Sequence, residues 1–187
     1  MDDAMGESIS FLNLNMFLSL LLFGLSIALP IFVVIFESQP LKKRDVPGLL
    51  LPYALFFNVG CLFFLGFMAQ LFYGPQVARE INWSWSPFQY ELAFSELALA
   101  VQGLISPLFR KEFWLATIIG SVIWLIGASG VHLYSLFFLG NQAISNATFV
   151  ISWNIFIAFW LIVLFVLHKA FTRNGVSNGY PFSSSNN

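Results

Sequence analysis

Long apolar runs separated by short polar segments dominate this sequence. A helix needs about 20 mostly apolar residues to cross the hydrocarbon core of a bilayer, and these runs reach that length. Their boundaries carry charged residues or helix breakers, such as the Tyr73-Gly74-Pro75 triplet after the second run. The pattern predicts an all-α bundle of five transmembrane helices at residues 9–36, 48–72, 87–109, 113–138 and 149–167.

The third run alone among the five contains acidic residues, Glu91 and Glu96. A carboxylate at the centre of a spanning helix costs about 2.5–3.5 kcal/mol, so a re-entrant segment is the alternative. Loop charges favour a crossing, since cytoplasmic loops are enriched in basic residues. A crossing leaves only Arg79 outside, with the N-terminus outside and the C-terminus cytoplasmic. The basic residues then on the cytoplasmic side are Lys42, Lys43, Arg44, Arg110, Lys111, Lys169 and Arg173.

Composition supports the membrane assignment and excludes several functions. The 187 residues are 58% hydrophobic and 9% charged, whereas soluble domains carry about 25% charged residues. The runs leave no room for a soluble domain, so residues 1–170 are predicted to form one transmembrane domain. Residues 171–187, rich in Ser and Asn, are predicted to be a disordered cytoplasmic tail. A net charge of −1 excludes nucleic acid as a principal partner.

Cysteine and histidine are too sparse for a metal centre. The single cysteine, Cys61, excludes an internal disulfide and a thiolate zinc site. His132 and His168 fall near opposite faces of the predicted bundle, so they cannot bind one ion together. We therefore predict no metal and no cofactor.

The fourth run contains four small residues in a row, Gly127–Gly130. Their G-x-S-G order is similar to that around the catalytic serine of the rhomboid intramembrane proteases. A serine nucleophile needs a base within hydrogen-bond reach. The rhomboid pattern supplies that base from another helix, whereas His132 follows on the same helix here. Small residues more simply let a second helix approach closely. We predict a helix-packing surface formed by Ala116, Gly120, Gly127 and Gly130.

Polar residues from several runs coincide in depth near the predicted outer surface. Glu91, His132 and Asn154 lie about 6–9 Å from the outer ends of their helices, at about 1.5 Å per residue. Glu96 lies at about 14 Å and on another side of its helix, so we expect it to face another helix or a cavity of its own. Ionisable residues at such depth are usually functional, but mutual hydrogen bonding between helices is an equal alternative. The candidates for this polar pocket are Glu91, His132, Glu96, Gln89, Gln102 and Asn154.

Two of these candidates are expected to meet. Residues 110–112 alone join the third and fourth runs, so their helices are predicted to be antiparallel neighbours. Because Glu91 and His132 lie at nearly equal depth, we predict that they form a hydrogen-bonded pair.

A resemblance to a known family covers the second half of the chain. Its most specific part is Trp85-Ser86-Pro87-Phe88-Gln89 followed by Glu91, and its other residues are Phe113-Trp114, Ala116, Thr117, Gly120, Gly127-Ala128, His132 and Gly140-Asn141. These motifs resemble an uncharacterised family of small prokaryotic integral membrane proteins, known as a domain of unknown function. The resemblance implies a prokaryotic cell membrane and supplies no activity. An amide is more usual at the position of Glu96 in that family, so this carboxylate departs from its pattern.

Two functional hypotheses follow. The first is a carrier or binding subunit of the cell (inner) membrane, which uses the polar pocket for a proton or a small polar solute. The alternative is a structural or accessory protein in the lipid bilayer, which docks another membrane protein or a second copy through its small-residue helix faces. An enzymatic function ranks third, because no nucleophile is paired with a base.

Overall fold

Helices form nearly all of the chain that the structure describes. The computed structural model describes residues 2–36, 46–109, 112–147 and 149–173. A π-helical segment, Leu55–Cys61, joins the second helix to the third, and a 3-10 turn, Ser106–Leu108, follows the fourth. The α-helices are α1 (Asp2–Phe36), α2 (Val46–Ala54), α3 (Leu62–Glu80), α4 (Phe88–Ile105), α5 (Glu112–Phe138), α6 (Ile144–Ala147) and α7 (Phe149–Arg173).

The described residues contain five helical stretches that are long and apolar enough to cross a membrane. They are Leu14–Phe36, Val46–Glu80, Phe88–Leu108, Glu112–Phe138 and Ile144–Thr172. The predicted number and order of apolar helices are confirmed, whereas insertion and orientation stay predictions. Helix α7 continues to Arg173, into the start of the predicted tail, and the rest of that tail, residues 174–187, lies outside the described residues.

The second span is longer than predicted. It was expected to end before Tyr73-Gly74-Pro75, but α3 continues to Glu80, with a kink at Tyr73 where φ is −124° and ψ is 22°. A proline lacks the N–H of a helical hydrogen bond, and its ring clashes with the preceding turn. The triplet therefore bends the helix and does not end it.

The helices pack mainly as two pairs. Helix α4 lies along α3 and the π-helical segment, and α5 lies along α7, whereas α4 and α5 approach each other only over a short stretch. Two glycines allow the closest backbone contact, since a Cβ atom on Gly103 would overlap the backbone of Gly60. Sequence neighbours α4 and α5 are therefore not the main packing partners.

The apolar core occupies one end of the bundle. Its buried side chains come from the start of the second span, the end of α4, the first half of α5 and the second half of α7, and include Leu51, Leu55, Val59, Trp114, Ile118, Ile157 and Leu161. The indole of Trp114 donates a 2.8 Å hydrogen bond to the carbonyl of Ser106, which ties α5 to the end of α4. The opposite end, here called the loop end, carries residues 81–87 and 139–143. The polar candidate residues lie between this core and the loop end, except Gln102, which lies at the core end of α4.

Candidate functional site

Glu96 is the buried carboxylate of the bundle interior. It lies in the middle of α4 and is only 5% exposed. Its carboxyl group packs directly against the backbone of α3, because a Cβ atom on Gly66 would lie 2.7 Å from Glu96 Oε2. The absence of a side chain at Gly66 thus provides the space that the carboxyl group occupies. Glu96 therefore faces a neighbouring helix, α3.

The carboxyl group of Glu96 is not fully hydrogen-bonded. Its Oε2 atom is buried and has no hydrogen-bond partner among the described residues. Trp153 Nε1, on α7, is a second buried polar atom without a partner in that part of the chain. A buried polar group without a hydrogen bond costs about 1–3 kcal/mol. Such groups call for an explanation such as a bound water, ion or ligand.

Both unpartnered atoms belong to residues that line one cavity of about 220 Å³. Its wall is formed by α1, α3, α4, α5, α6 and α7, so every long helix contributes. The cavity extends from Glu96 and Gly66 towards the loop end, where Glu80, Ile81 and Ser145 also line it. We call this space the Glu96 cavity.

Amide side chains continue the polar surface along one wall of the Glu96 cavity. Gln70 lines the cavity, and Gln89 Nε2 donates to Gln70 Oε1 at 3.4 Å and to the carbonyl of Gly74 at 3.2 Å. The Oε1 atom of Gln89 is a third buried polar atom without a partner among the described residues. Asn154 lines the cavity from α7 and is 9% exposed. Three predicted pocket residues, Glu96, Gln89 and Asn154, thus lie at or beside the cavity.

A separate group of polar residues closes the loop end, and we call it the loop-end cluster: Trp83, His132, Ser135, Asn141 and Asn146. His132 Nδ1 lies 2.8 Å from Asn146 Oδ1. Because an amide oxygen only accepts, the imidazole donates this hydrogen bond through Nδ1–H. Asn146 Nδ2 in turn donates to the carbonyl of Asn141 at 3.1 Å. Fully buried Asn146 therefore joins α6 to α5 and to the preceding loop.

The loop-end cluster also ties together the two loops that give this end its name. Asn141 Nδ2 donates to the carbonyl of Ile81 at 2.7 Å and to Ser135 Oγ at 3.1 Å. Trp83 Nε1 donates to the same Ser135 Oγ at 3.0 Å. The indole ring stacks on the imidazole of His132, with centroids 5.1 Å apart. These side chains are hydrogen-bond partners of one another, so the cluster connects the two loops.

The sequence model of a family of unknown function, DUF6790, matches residues 15–174. The chain belongs to this family. The DUF6790 match includes most of α1 and every later helix, so the Glu96 cavity and the loop-end cluster both lie inside it. No curated protein and no solved structure matches the chain. Membership of a family without an assigned function is confirmed, and the prokaryotic origin stays a prediction.

The predicted pair of Glu91 and His132 is wrong. Glu91 is exposed on α4, whereas His132 is bonded to Asn146 and stacked on Trp83. The reason is the helix arrangement, because α4 packs along α3 while α5 packs along α7. Equal depth therefore did not bring the two side chains together.

Gln102 is a further candidate that lies away from the cavity. It is half-buried near the end of α4, and its backbone carbonyl accepts a 2.8 Å hydrogen bond from Ser106 Oγ. The α4 residue that lines the cavity is Glu96, which lies closer to the loop end. Gln102 thus belongs to the end of the helix and not to the pocket.

The predicted small-residue surface of α5 is only partly in contact with this chain. A Cβ atom on Gly120 would lie 3.3 Å from Leu99 of α4, but one on Gly127 or Gly130 would meet nothing within 4 Å. Ala116 is also exposed. The glycines that permit close contact inside the bundle are Gly60, Gly66 and Gly103, which sequence reasoning did not select.

Neither a serine-protease site nor a metal site is formed by the described residues. Ser129 Oγ donates to the carbonyl of Leu125 within its own helix at 2.9 Å, and His132 faces Asn146. These contacts provide no base for Ser129, so the geometry gives no support to a rhomboid-like site. Among the described residues, no three or more His, Cys, Asp or Glu side chains are grouped as a metal site would require.

Proposed function

We propose that this protein is a membrane carrier or binding subunit that takes up a proton or a small polar solute in the Glu96 cavity. The observation that carries the proposal is the buried Glu96 Oε2 atom, which lines a cavity and has no hydrogen-bond partner among the described residues. Ionisable residues inside a membrane mark substrate or proton pathways by default. The unpartnered Trp153 Nε1 on the same cavity adds a donor to this acceptor.

The test asks whether Glu96 exchanges with the solution and whether that exchange crosses the membrane. Infrared difference spectra between the wild type and Glu96→Gln isolate the carboxyl bands, and we expect these bands to shift in D2O. Proton entry into proteoliposomes, measured with a trapped pH dye under an imposed potential, then separates a carrier from a binding subunit. Glu91→Gln is the matched control, since it makes the same change at an exposed position of the same helix.

Each result of this experiment has a defined meaning. A D2O shift with a proton flux that Glu96→Gln abolishes supports a proton carrier. A shift without flux supports a binding site. A Glu96 band that ignores D2O, combined with equal flux in the wild type and Glu96→Gln, overturns the proposal.

The proposed orientation places the loop end outside a cell membrane. Support comes from the basic residues, since Arg79 alone would lie at that end while residues 42–44 and 110–111 would lie at the other. In a Cys61→Ala background, a cysteine at Gln142 should react with an impermeant thiol reagent in intact cells, and one at Arg110 should not. Labelling at position 110 from outside would contradict this topology.

A second candidate function is that of an accessory protein that associates through α5. The observation in its favour is the open space around Gly127 and Gly130, which no described residue covers. Close helix contact through small residues is a common mode of association in membranes. In mild detergent, Gly127→Leu should then shift the wild-type protein from an assembly to a smaller species in size-exclusion chromatography. A monomeric wild type would contradict association between copies.

A further inference from the structure

The ionisable side chains that line the Glu96 cavity are acidic. Its lining includes two carboxylates, Glu96 in the interior and Glu80 towards the loop end. The described residues that line it include no lysine, arginine or histidine. The nearest basic residue in sequence, Arg79, is exposed and does not line the cavity. A cavity with acidic and no basic groups attracts cations and disfavours anions.

Aromatic rings form much of the remaining wall of the cavity. Phe63 and Trp124 line it from α3 and α5, with their rings edge to face at 4.9 Å. Phe149 and Trp153 line it from α7, stacked at 5.3 Å. Tryptophan is the side chain that best attracts an organic cation through its ring face. The cavity therefore combines a counter-charge with surfaces that suit an ammonium group on an apolar body.

The surroundings of Glu96 fit a bare metal ion poorly. Hard cations such as Na⁺, Mg²⁺ or Ca²⁺ prefer several oxygen ligands at once. Among the described residues, no three or more His, Cys, Asp or Glu side chains are grouped to hold a metal ion. The cavity wall instead includes the apolar ring surfaces of Phe63, Trp124, Phe149 and Trp153. A cation that brings its own methyl or methylene groups uses this wall better.

The size of the cavity limits the ligand. Pockets for drug-sized ligands usually enclose about 300–1000 Å³, and the Glu96 cavity encloses about 220 Å³. We propose that the Glu96 cavity binds a small organic cation, an ammonium group on a compact apolar body. This inference rests on the proposed function and names the chemical class of its solute.

Choline is a suitable probe, because its neutral isostere 3,3-dimethylbutan-1-ol has the same shape without the charge. The hydroxyl group of choline can also accept a hydrogen bond from the indole N–H of Trp153. Binding to the full-length protein in nanodiscs can be followed by calorimetry and by tryptophan fluorescence, since Trp124 and Trp153 line the cavity. We expect choline to bind and the neutral alcohol to bind at least about tenfold more weakly, because the neutral alcohol leaves the buried carboxylate without a charged partner.

Variants separate the contributions of charge and aromatic wall. Glu96→Gln should weaken choline binding at least about tenfold, whereas Glu91→Gln should leave it unchanged, because Glu96 lines the cavity and Glu91 does not. Trp124→Leu should weaken choline more than it weakens the neutral alcohol, because only the cation is attracted to the ring face. A folded size-exclusion profile of each variant shows that loss of binding is not loss of structure.

Specific outcomes overturn the inference. Equal binding of choline and its neutral isostere would do so, as would unchanged choline binding in Glu96→Gln. Binding of Na⁺ or K⁺ in place of choline would assign the site to an inorganic cation. Failure of choline with a D2O-responsive Glu96 would reject the organic cation and leave the proposed function intact, whereas failure of both would reject the two together.

Discussion

The Glu96 cavity and the loop-end cluster both contain polar residues. The polar side chains of the cluster are hydrogen-bonded to one another, whereas buried polar atoms at the cavity have no partner among the described residues. In the loop-end cluster, His132, Asn146 and Asn141 donate and accept among themselves and to nearby backbone. In the cavity, Glu96 Oε2 and Trp153 Nε1 find no partner among the described residues. Satisfied buried networks stabilise a structure, whereas unsatisfied groups cost free energy unless a ligand or water completes them. The contrast separates a structural role from the proposed binding role more sharply than position along the helices does.

The largest expected change in stability comes from comparing two asparagine substitutions, one in the cluster and one at the cavity. Asn146→Leu removes the acceptor of His132 and the donor to Asn141 from a fully buried position. We expect a loss of about 2–3 kcal/mol in the free energy of unfolding in detergent, because the former partners stay buried. Asn154→Leu is the matched control at the cavity wall, where the side chain makes no hydrogen bond to another described residue. Equal losses in the two variants would remove the distinction between the regions.

The second prediction has the opposite sign. Glu96→Leu replaces an incompletely bonded carboxyl group by an apolar side chain beside Gly66. We expect the ligand-free protein to gain about 1–2 kcal/mol of stability in thermal or chemical unfolding, since the cost of the buried polar group disappears. The same change at exposed Glu91 should alter stability by less than about 0.5 kcal/mol. A strongly destabilised Glu96→Leu variant would show that the carboxyl group stabilises the fold.

The sequence predicted the helices far better than it predicted their neighbours. Five apolar helices are readable because a bilayer demands runs of a fixed minimum length. The inward direction of Glu96 was also readable, since its angular offset from Glu91 follows from helix geometry. The prediction that Glu91 pairs with His132 was wrong because a short connection does not decide which helices pack side by side. Helix α4 packs mainly against α3 and not against α5.

The sequence did not indicate which polar side chains are hydrogen-bonded to one another. Asn146 and Ser135 were not selected, although they complete the loop-end cluster with His132. Their partners come from loops, and loop geometry depends on tertiary contacts that periodicity does not report. One local signal was present, because Gly140-Asn141 is a turn sequence and Gly140 has a positive φ of 67°. A turn at this position places Asn141 where it can bond to Ile81.

A third prediction tests whether the loop-end cluster acts as one unit. Trp83→Phe removes the hydrogen bond to Ser135 and keeps an aromatic ring that can stack on His132. We expect a loss of about 1 kcal/mol, the usual net contribution of one hydrogen bond. In a double-mutant cycle with Ser135→Ala, the two losses should not add, because both variants break the same bond. Additive losses would mean that the indole and the hydroxyl stabilise the protein independently.

The smallest expected effect concerns the glycines of α5. Gly120 and Gly127 were predicted to share one packing face. Within the described part of the chain, an added Cβ atom on Gly120 would lie 3.3 Å from Leu99, whereas one on Gly127 would meet nothing within 4 Å. Gly127→Leu should therefore change the unfolding free energy of the monomer by less than about 0.5 kcal/mol. Gly120→Leu should lower it measurably, because Leu99 would have to move. Thermal unfolding of both variants at low protein concentration tests this difference, since dilution removes any contribution of association. Destabilisation by Gly127→Leu that persists on dilution would mean that this surface packs inside the chain, and the uncovered α5 face would then no longer favour the accessory function.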